Sequence, residues 1–194
     1  MFTTETGGDV STVYHLYQYE DFDQRDQCRA VAKKDAGWQA HTDLARQHML
    51  KRGSVMLREA AALYTAIGVT GAAGFKAPAA STPPTQPVYE LRTMTMKPGC
   101  QGVQQVFSTY ANSLPHKLAN EREGGQLVLV SQTDVGLLNK VVELWRYPSA
   151  QALIRSCDAA RKVPQWQASK AVIYPLCQSL EISLLHPTSS SSWQ

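Results

Sequence analysis

Between Val88 and Met96 the chain sets large or apolar side chains against polar ones over part of its length, and Pro98-Gly99 follows. Alternation at period two predicts a half-buried strand closed by a turn. The period then changes. Val103, Val106, Phe107, Tyr110 and Leu114 fall at i, i+3, i+4, i+7 and i+11, which places them on one stripe of a helix at about 3.6 residues per turn. Pro115 is expected to kink or close that helix. Gly124-Gly125 predicts a turn, Leu127-Val128-Leu129-Val130 a short buried strand, and Lys140 to Tyr147 the next strand, with Gly136 in the hairpin between them. Ser149 is placed to cap a helix carrying Ala150, Leu153, Ile154 and Cys157 on one face. A last strand fits Leu180 to Leu185, ahead of a Ser-rich tail. Strand, helix, strand, strand, helix, strand is the split βαβ, ferredoxin-like order.

The pattern occurs twice. Val13-Tyr14-His15-Leu16-Tyr17-Gln18-Tyr19 and Trp38-Gln39-Ala40 return as Val141-Val142-Glu143-Leu144-Trp145-Arg146-Tyr147 and Trp166-Gln167-Ala168, at a constant offset of 128 residues. Gly8/Gly136, Ala32/Ala160, Lys34/Lys162 and Leu57/Leu185 keep the same offset. At that offset the first copy supplies the end of the second strand at Met1 to Glu5, the third strand at Thr12 to Tyr19, a helix from Phe22, and the last strand near Ser54 to Arg58. The counterpart of the opening strand and helix is absent. The expected organisation is a partial first module at 1–67, a Gly/Ala/Pro-rich linker at 68–87, a complete second module at 88–187 and a Ser-rich tail at 188–194.

Composition narrows the function little. Nineteen Lys and Arg against sixteen Asp and Glu leave a formal charge of +3, with the signs interspersed, so nucleic acid is not an expected partner. The four cysteines, Cys28, Cys100, Cys157 and Cys177, make no metal-ligand spacing and read as reduced, mostly buried thiols. The uncharged stretch from Ala60 to Phe75 holds Gly68, Gly71 and Gly74, is too short to cross a bilayer, and is expected to be coil. The histidines have no ligand spacing, and there is no nucleophile elbow, phosphate loop or dinucleotide fingerprint. No metal, cofactor or catalytic residue is therefore expected.

Three features remain as candidates. Arg25, Arg29 and Lys33 recur every four residues and line one helix face, a surface for an anionic group or acidic partner, or else a solvated face balanced by Asp21, Asp23 and Asp26. Strand parity puts His15 on the side of its strand that Glu143 occupies in the second copy. If the two sheets faced each other, these residues could meet in an aromatic-lined space, giving a small-ligand or oxygenase-type pocket, or simply a buried polar pair. Trp38, Trp166, Trp145 and Tyr147 are expected to be structural anchors.

Arg25-x3-Arg29-x4-Lys34-Asp35-x2-Trp38-Gln39, followed by Tyr89-Glu90-Leu91-Arg92, Lys97-Pro98-Gly99 and Trp145-Arg146-Tyr147 in that order, resembles the NIPSNAP family. The resemblance implies tandem ferredoxin-like modules of the dimeric α+β barrel type, the first of them incomplete here. It also implies a non-enzymatic protein acting through protein contacts, with autophagy or vesicle-traffic factors among its partners, and mitochondrial association, with a cytoplasmic location as the alternative. The chain shows no mitochondrial presequence. A sheet short of its first strand presents an open edge, so self-association is expected as well.

Overall fold

The computed structural model describes residues 1–78, 86–99 and 101–193. The chain divides into two compact units, one formed by Met1–His15 with Val55–Gln194 and the other by Leu16–Ser54. The larger unit is built on a seven-stranded antiparallel sheet. Its strands are β1 (Phe2–Thr6), β2 (Val13–Tyr14), β3 (Met56–Glu59), β4 (Val88–Met96), β5 (Gln126–Val135), β6 (Lys140–Tyr147) and β7 (Cys177–Pro187), in spatial order β2-β1-β7-β4-β6-β5-β3.

The four strands of the second copy form the centre of this sheet. Helices α5 (Gly102–Ala119), α6 (Ala150–Arg161) and α7 (Pro164–Ile173), with a 3₁₀ turn at Tyr174–Leu176, connect them. Ser149 caps α6 by accepting from the Ala152 N–H, as its residue type predicts. The strands of the first copy do not make a sheet of their own; β1 adds to β7 and β3 adds to β5.

The two additions are related to each other. At the 128-residue offset the pair Phe2↔Pro187 maps onto Val130↔Glu59, and Glu59 in fact pairs with Ser131, one residue away. Each ladder also breaks register once, between Thr4 and Thr6 and between Met56 and Leu57. The same strand-to-strand contact is thus made twice, once from each copy.

Both faces of the sheet are buried. Under the helices lie Val88, Met94, Met96, Val141, Trp145 and Tyr147, joined by Val106, Tyr110 and Leu114 of α5 and Trp166 and Ile173 of α7. The other face gathers Phe2, Tyr89, Val128, Leu129, Leu144 and Leu185. Phe75 and Trp193 close over it: Phe75 meets Trp193 edge-on at 5.4 Å between ring centroids, and the Tyr89 hydroxyl donates to the Trp193 carbonyl at 2.6 Å.

Several expectations change. Helix α5 runs through Pro115 to Ala119, because the burial of Leu114 and Lys117 on either side of it outweighs one lost backbone hydrogen bond. The stretch expected to be coil holds α3 (Ala61–Ile67) and α4 (Gly71–Gly74), with Leu63 and Tyr64 buried. Gly71 lies at φ +69°, and a Cβ there would come within 2.3 Å of the Tyr64 ring, so this glycine is needed for close approach. The front of the expected linker is therefore packed structure, while 79–85 fall outside the described residues. The tail is packed too, through Trp193. Of the three described cysteines, Cys28 is exposed and Cys157 and Cys177 are half-buried, none of them a fully buried thiol; Cys100 lies outside the described residues.

The smaller unit comprises α1 (Phe22–Ala32) and α2 (Ala36–His48). Asp21 and Asp35 cap them, accepting from the N–H groups of Gln24 and Trp38. Neither helix buries a residue.

Candidate functional site

The richest chemistry lies between the central strands and helices α5 to α7. Antiparallel register sets Glu90 opposite Trp145 and Arg92 opposite Glu143. Period-two alternation then turns all four toward the helices, together with Met94 and Tyr147. Helix α5 contributes Tyr110 and Lys117, seven residues apart on its buried stripe, and α7 contributes Trp166 and Lys170. All of these side chains except Trp145 border a cavity of about 190 Å³.

Most of the buried polar atoms here are paired. The Tyr110 hydroxyl donates to Glu143 Oε1 at 2.5 Å and the Trp145 indole Nε1 donates to Oε2 at 3.0 Å. Arg92 makes a two-pronged contact with Glu90, Nε to Oε1 at 2.9 Å and Nη2 to Oε2 at 3.0 Å. This bidentate geometry is the strong form of the Arg–carboxylate pair.

Lys117 differs. It is 4 % exposed and its Nζ has no hydrogen-bond partner. The Nζ sits 3.3 Å from the centroid of the Trp145 ring and 4.9 Å from that of Trp166, so two aromatic faces are its nearest electrostatic support. Burial, then the charge of Arg92, pushes its pKa down to about 7, against the opposing pull of Glu143 and Glu90. Burial also raises Tyr110 well above its ordinary value, and the neighbouring Glu143 charge adds to this. For Arg92 burial disfavours the charge, but Glu90 and Glu143 outweigh it and hold the guanidinium charged.

Glu143 was foreseen; its supposed partner is elsewhere. His15 is exposed and follows β2, which lies four strands from β6 in the sheet order, roughly 19 Å at about 4.8 Å per strand. The two copies share one sheet side by side, so the residues do not meet. Arg25, Arg29 and Lys33 lie on α1 and at its C-cap; Arg25 is half-buried and paired with Asp26 at 2.5 Å, and the other two are exposed.

Trp166, Trp145 and Tyr147 are the expected anchors, at 2 %, 0 % and 0 % exposure. Trp38 is not an anchor: it is 44 % exposed. Trp166 packs on Tyr110 of α5 at 5.5 Å between ring centroids, whereas the ring beside Trp38 is that of His41 in its own helix, 6.4 Å away.

Glu90, Arg92, Tyr110 and Lys117 were not singled out as site residues from the sequence. The signal for Lys117 was present, because it continues the stripe of Tyr110 and Leu114 at the next i+3 step, beyond Pro115. Among the described residues no cluster of His, Cys, Asp and Glu is arranged to hold a metal ion, and no helix is long and apolar enough to cross a membrane.

A mixed α+β fold on one antiparallel sheet, entered twice by a repeated strand contact, defines the class of protein. The NIPSNAP sequence profile matches residues 1–62 and 89–192, and the chain belongs to the NIPSNAP family. It is 27 % identical over 192 residues to mouse Protein NipSnap homolog 3B, covering 98 % of this chain and 70 % of that one. It is 26 % identical over 190 residues to human Protein NipSnap homolog 3A, with the same coverage. The fold is similar to that of a NIPSNAP family protein from Agrobacterium tumefaciens, with TM-score 0.51 and 21 % identity over 59 % of this chain and 96 % of that one. A second structure from that organism, described as a NIPSNAP family protein with unknown function, gives TM-score 0.50 and 17 % identity over 62 % and 100 %.

Proposed function

We propose that this chain acts without catalysis, through protein contacts made by its 16–54 unit, in association with mitochondria. One observation carries the reading. Helices α1 and α2 bury none of their side chains, yet Phe22, Val31, Trp38 and Leu44 on them are all exposed, beside the charged Arg29 and Lys33. Exposed large apolar groups concentrated in one short unit mark an interaction site more often than a free surface. The equivalent helices of the second copy, α6 and α7, spend their apolar residues on a core. Partners in vesicle traffic or mitophagy signalling fit a surface that combines aromatic and basic groups.

The architecture is read as tandem βαββαβ modules of the dimeric α+β barrel type, the first of them incomplete; the reciprocal β1·β7 and β3·β5 ladders support this. Among the described residues the sheet ends at β2 and β3. Such ends recruit strands, so self-association belongs to the same proposal.

Co-sedimentation with purified mitochondria tests the function. The chain is expected to bind intact mitochondria, to lose binding when surface proteins are first removed by trypsin, and to lose it when Arg25→Glu and Arg29→Glu are combined. Binding that survives both treatments at physiological salt rejects this face as the interface. A tagged chain that stays diffuse in the cytoplasm removes the mitochondrial assignment.

A further inference from the structure

Beyond protein contacts, the cavity beneath α5 to α7 has the properties of a ligand site. Its size comes first. An apolar cavity of about 150 Å³ is enough to admit benzene, and this one has about 190 Å³, room for one ring with a small substituent. Its walls suit such a ring, since Met94, Tyr147, Trp166, Ile173 and Tyr174 face it.

The charges select the substituent. Glu90 and Arg92 from β4, Glu143 from β6, Tyr110 and Lys117 from α5, Cys157 and Arg161 from α6, and Lys170 from α7 all border the space. Four of these are basic and two are carboxylates. Glu90 is held by Arg92, and Glu143 by Tyr110 and Trp145. Lys117 Nζ, with burial above nine-tenths, has no hydrogen-bond partner. A buried unpaired polar group is costly, and a compact acceptor delivered into the cavity relieves that cost.

We infer that this cavity binds a small aromatic or otherwise flat apolar carboxylate, whose carboxylate accepts from Lys117 Nζ while its body lies among Met94, Trp166 and Ile173. The ammonium form is then favoured by a direct counter-charge. Because the unliganded lysine is depressed to about 7, binding at pH 8 draws a proton from solvent.

Titration calorimetry of the full chain at pH 8 tests this with benzoate, phenylacetate, benzamide and benzylamine. At least one of the two carboxylates is expected to bind ten times or more tighter than benzamide, and benzylamine not at all. Repeating the titration in buffers of different ionisation enthalpy is expected to show net uptake of most of one proton. Lys117→Met, checked for an intact cooperative unfolding transition, is expected to weaken carboxylate binding at least tenfold, while Trp38→Ala leaves it unchanged. No carboxylate binding at millimolar concentration, no preference over benzamide, no proton uptake by the unaltered chain, or undiminished binding to a folded Lys117→Met variant would each overturn the inference. If Lys117→Met does not fold, the proton uptake of the unaltered chain decides.

Discussion

At the scale of single residues, one repeated tryptophan illustrates how context sets energy. Trp166 and Trp38 share a position in the two copies, but one is 2 % and the other 44 % exposed. Trp166→Ala is expected to cost about 3–5 kcal/mol, as large-to-small core substitutions do. Trp38→Ala is expected to stay within about 0.5 kcal/mol. Urea unfolding of both variants checks this, and equal losses would contradict the assigned burial. Lys117 makes a second prediction. Its folded pKa lies near 7 against an ordinary 10.5, so between these values the unfolded chain binds more protons. Stability from this residue therefore rises as pH climbs from 7, and is flat below 7, where both states are protonated. Tyr110 and Tyr147, whose pKa values burial raises, oppose the trend only above about pH 10. From pH 7 to 9.5 the gain is at most about 3 kcal/mol, and it is expected to vanish in Lys117→Met; an unchanged pH trend in that variant would refute it. Strand parity made the inward direction of Glu143, Trp145 and Tyr147 legible in advance. Lys117 was not, because a lysine after a proline reads as a solvated helix end until the stripe is followed across Pro115.

At the scale of elements, the chain shows what finishes a strand edge. β3 ends at Glu59, and the outer backbone of Val130 in β5 is taken over by α3: the Ala60 N–H donates to the Val130 carbonyl at 2.9 Å, and the Tyr64 hydroxyl donates to the same carbonyl at 2.7 Å while accepting from the Val130 N–H at 2.8 Å. One phenol thus serves both backbone groups where a neighbouring strand is lacking. Tyr64→Phe leaves them buried and partly unsatisfied, and is expected to cost about 1–3 kcal/mol. A melting temperature equal to that of the unaltered chain would show that the edge finds other partners. Period-two and period-3.6 patterning placed the four strands, α5 and α6 of the second copy, with the ends adjusted, but not α7. In the first copy it placed β1, the start of α1 and β3, and missed the short extent of β2 and the helix α3 for identifiable reasons. The run from Thr12 to Tyr19 carries strand-like residues but pairs only at Val13–Tyr14, on β1. The helix α3 was masked by its neighbouring glycines, one of which, Gly68, is its left-handed cap at φ +72°.

At the scale of the whole molecule, the 128-residue repeat disclosed two copies, and only the structure shows that their strands share one sheet while the first copy's helices form a separate unit. Repetition in sequence specifies equivalent elements, not equivalent surroundings, which is why α2 and α7 differ so much in burial. A fragment spanning 86–193, which keeps the Tyr89–Trp193 contact, is expected to unfold cooperatively on its own, and a fragment spanning 1–68 is not. A cooperative thermal transition from the shorter piece would defeat that division. Light scattering across a dilution series is expected to show the mass falling on dilution, as self-association at the sheet ends requires; a constant monomer mass at high micromolar concentration would remove that part of the proposal. The division of labour within the first copy is most directly tested by native-state hydrogen exchange of the full chain. Amides of Phe2–Thr6 and Met56–Glu59 that bond to β7 and β5 are expected to be protected nearly as well as those of Val88–Met96, while those of Phe22–Ala32 and Ala36–His48 exchange orders of magnitude faster. Helices in 22–48 as protected as the central strands, or unprotected amides among those of β1 and β3 that bond to β7 and β5, would contradict a first copy whose strands build the sheet and whose helices form a separate unit.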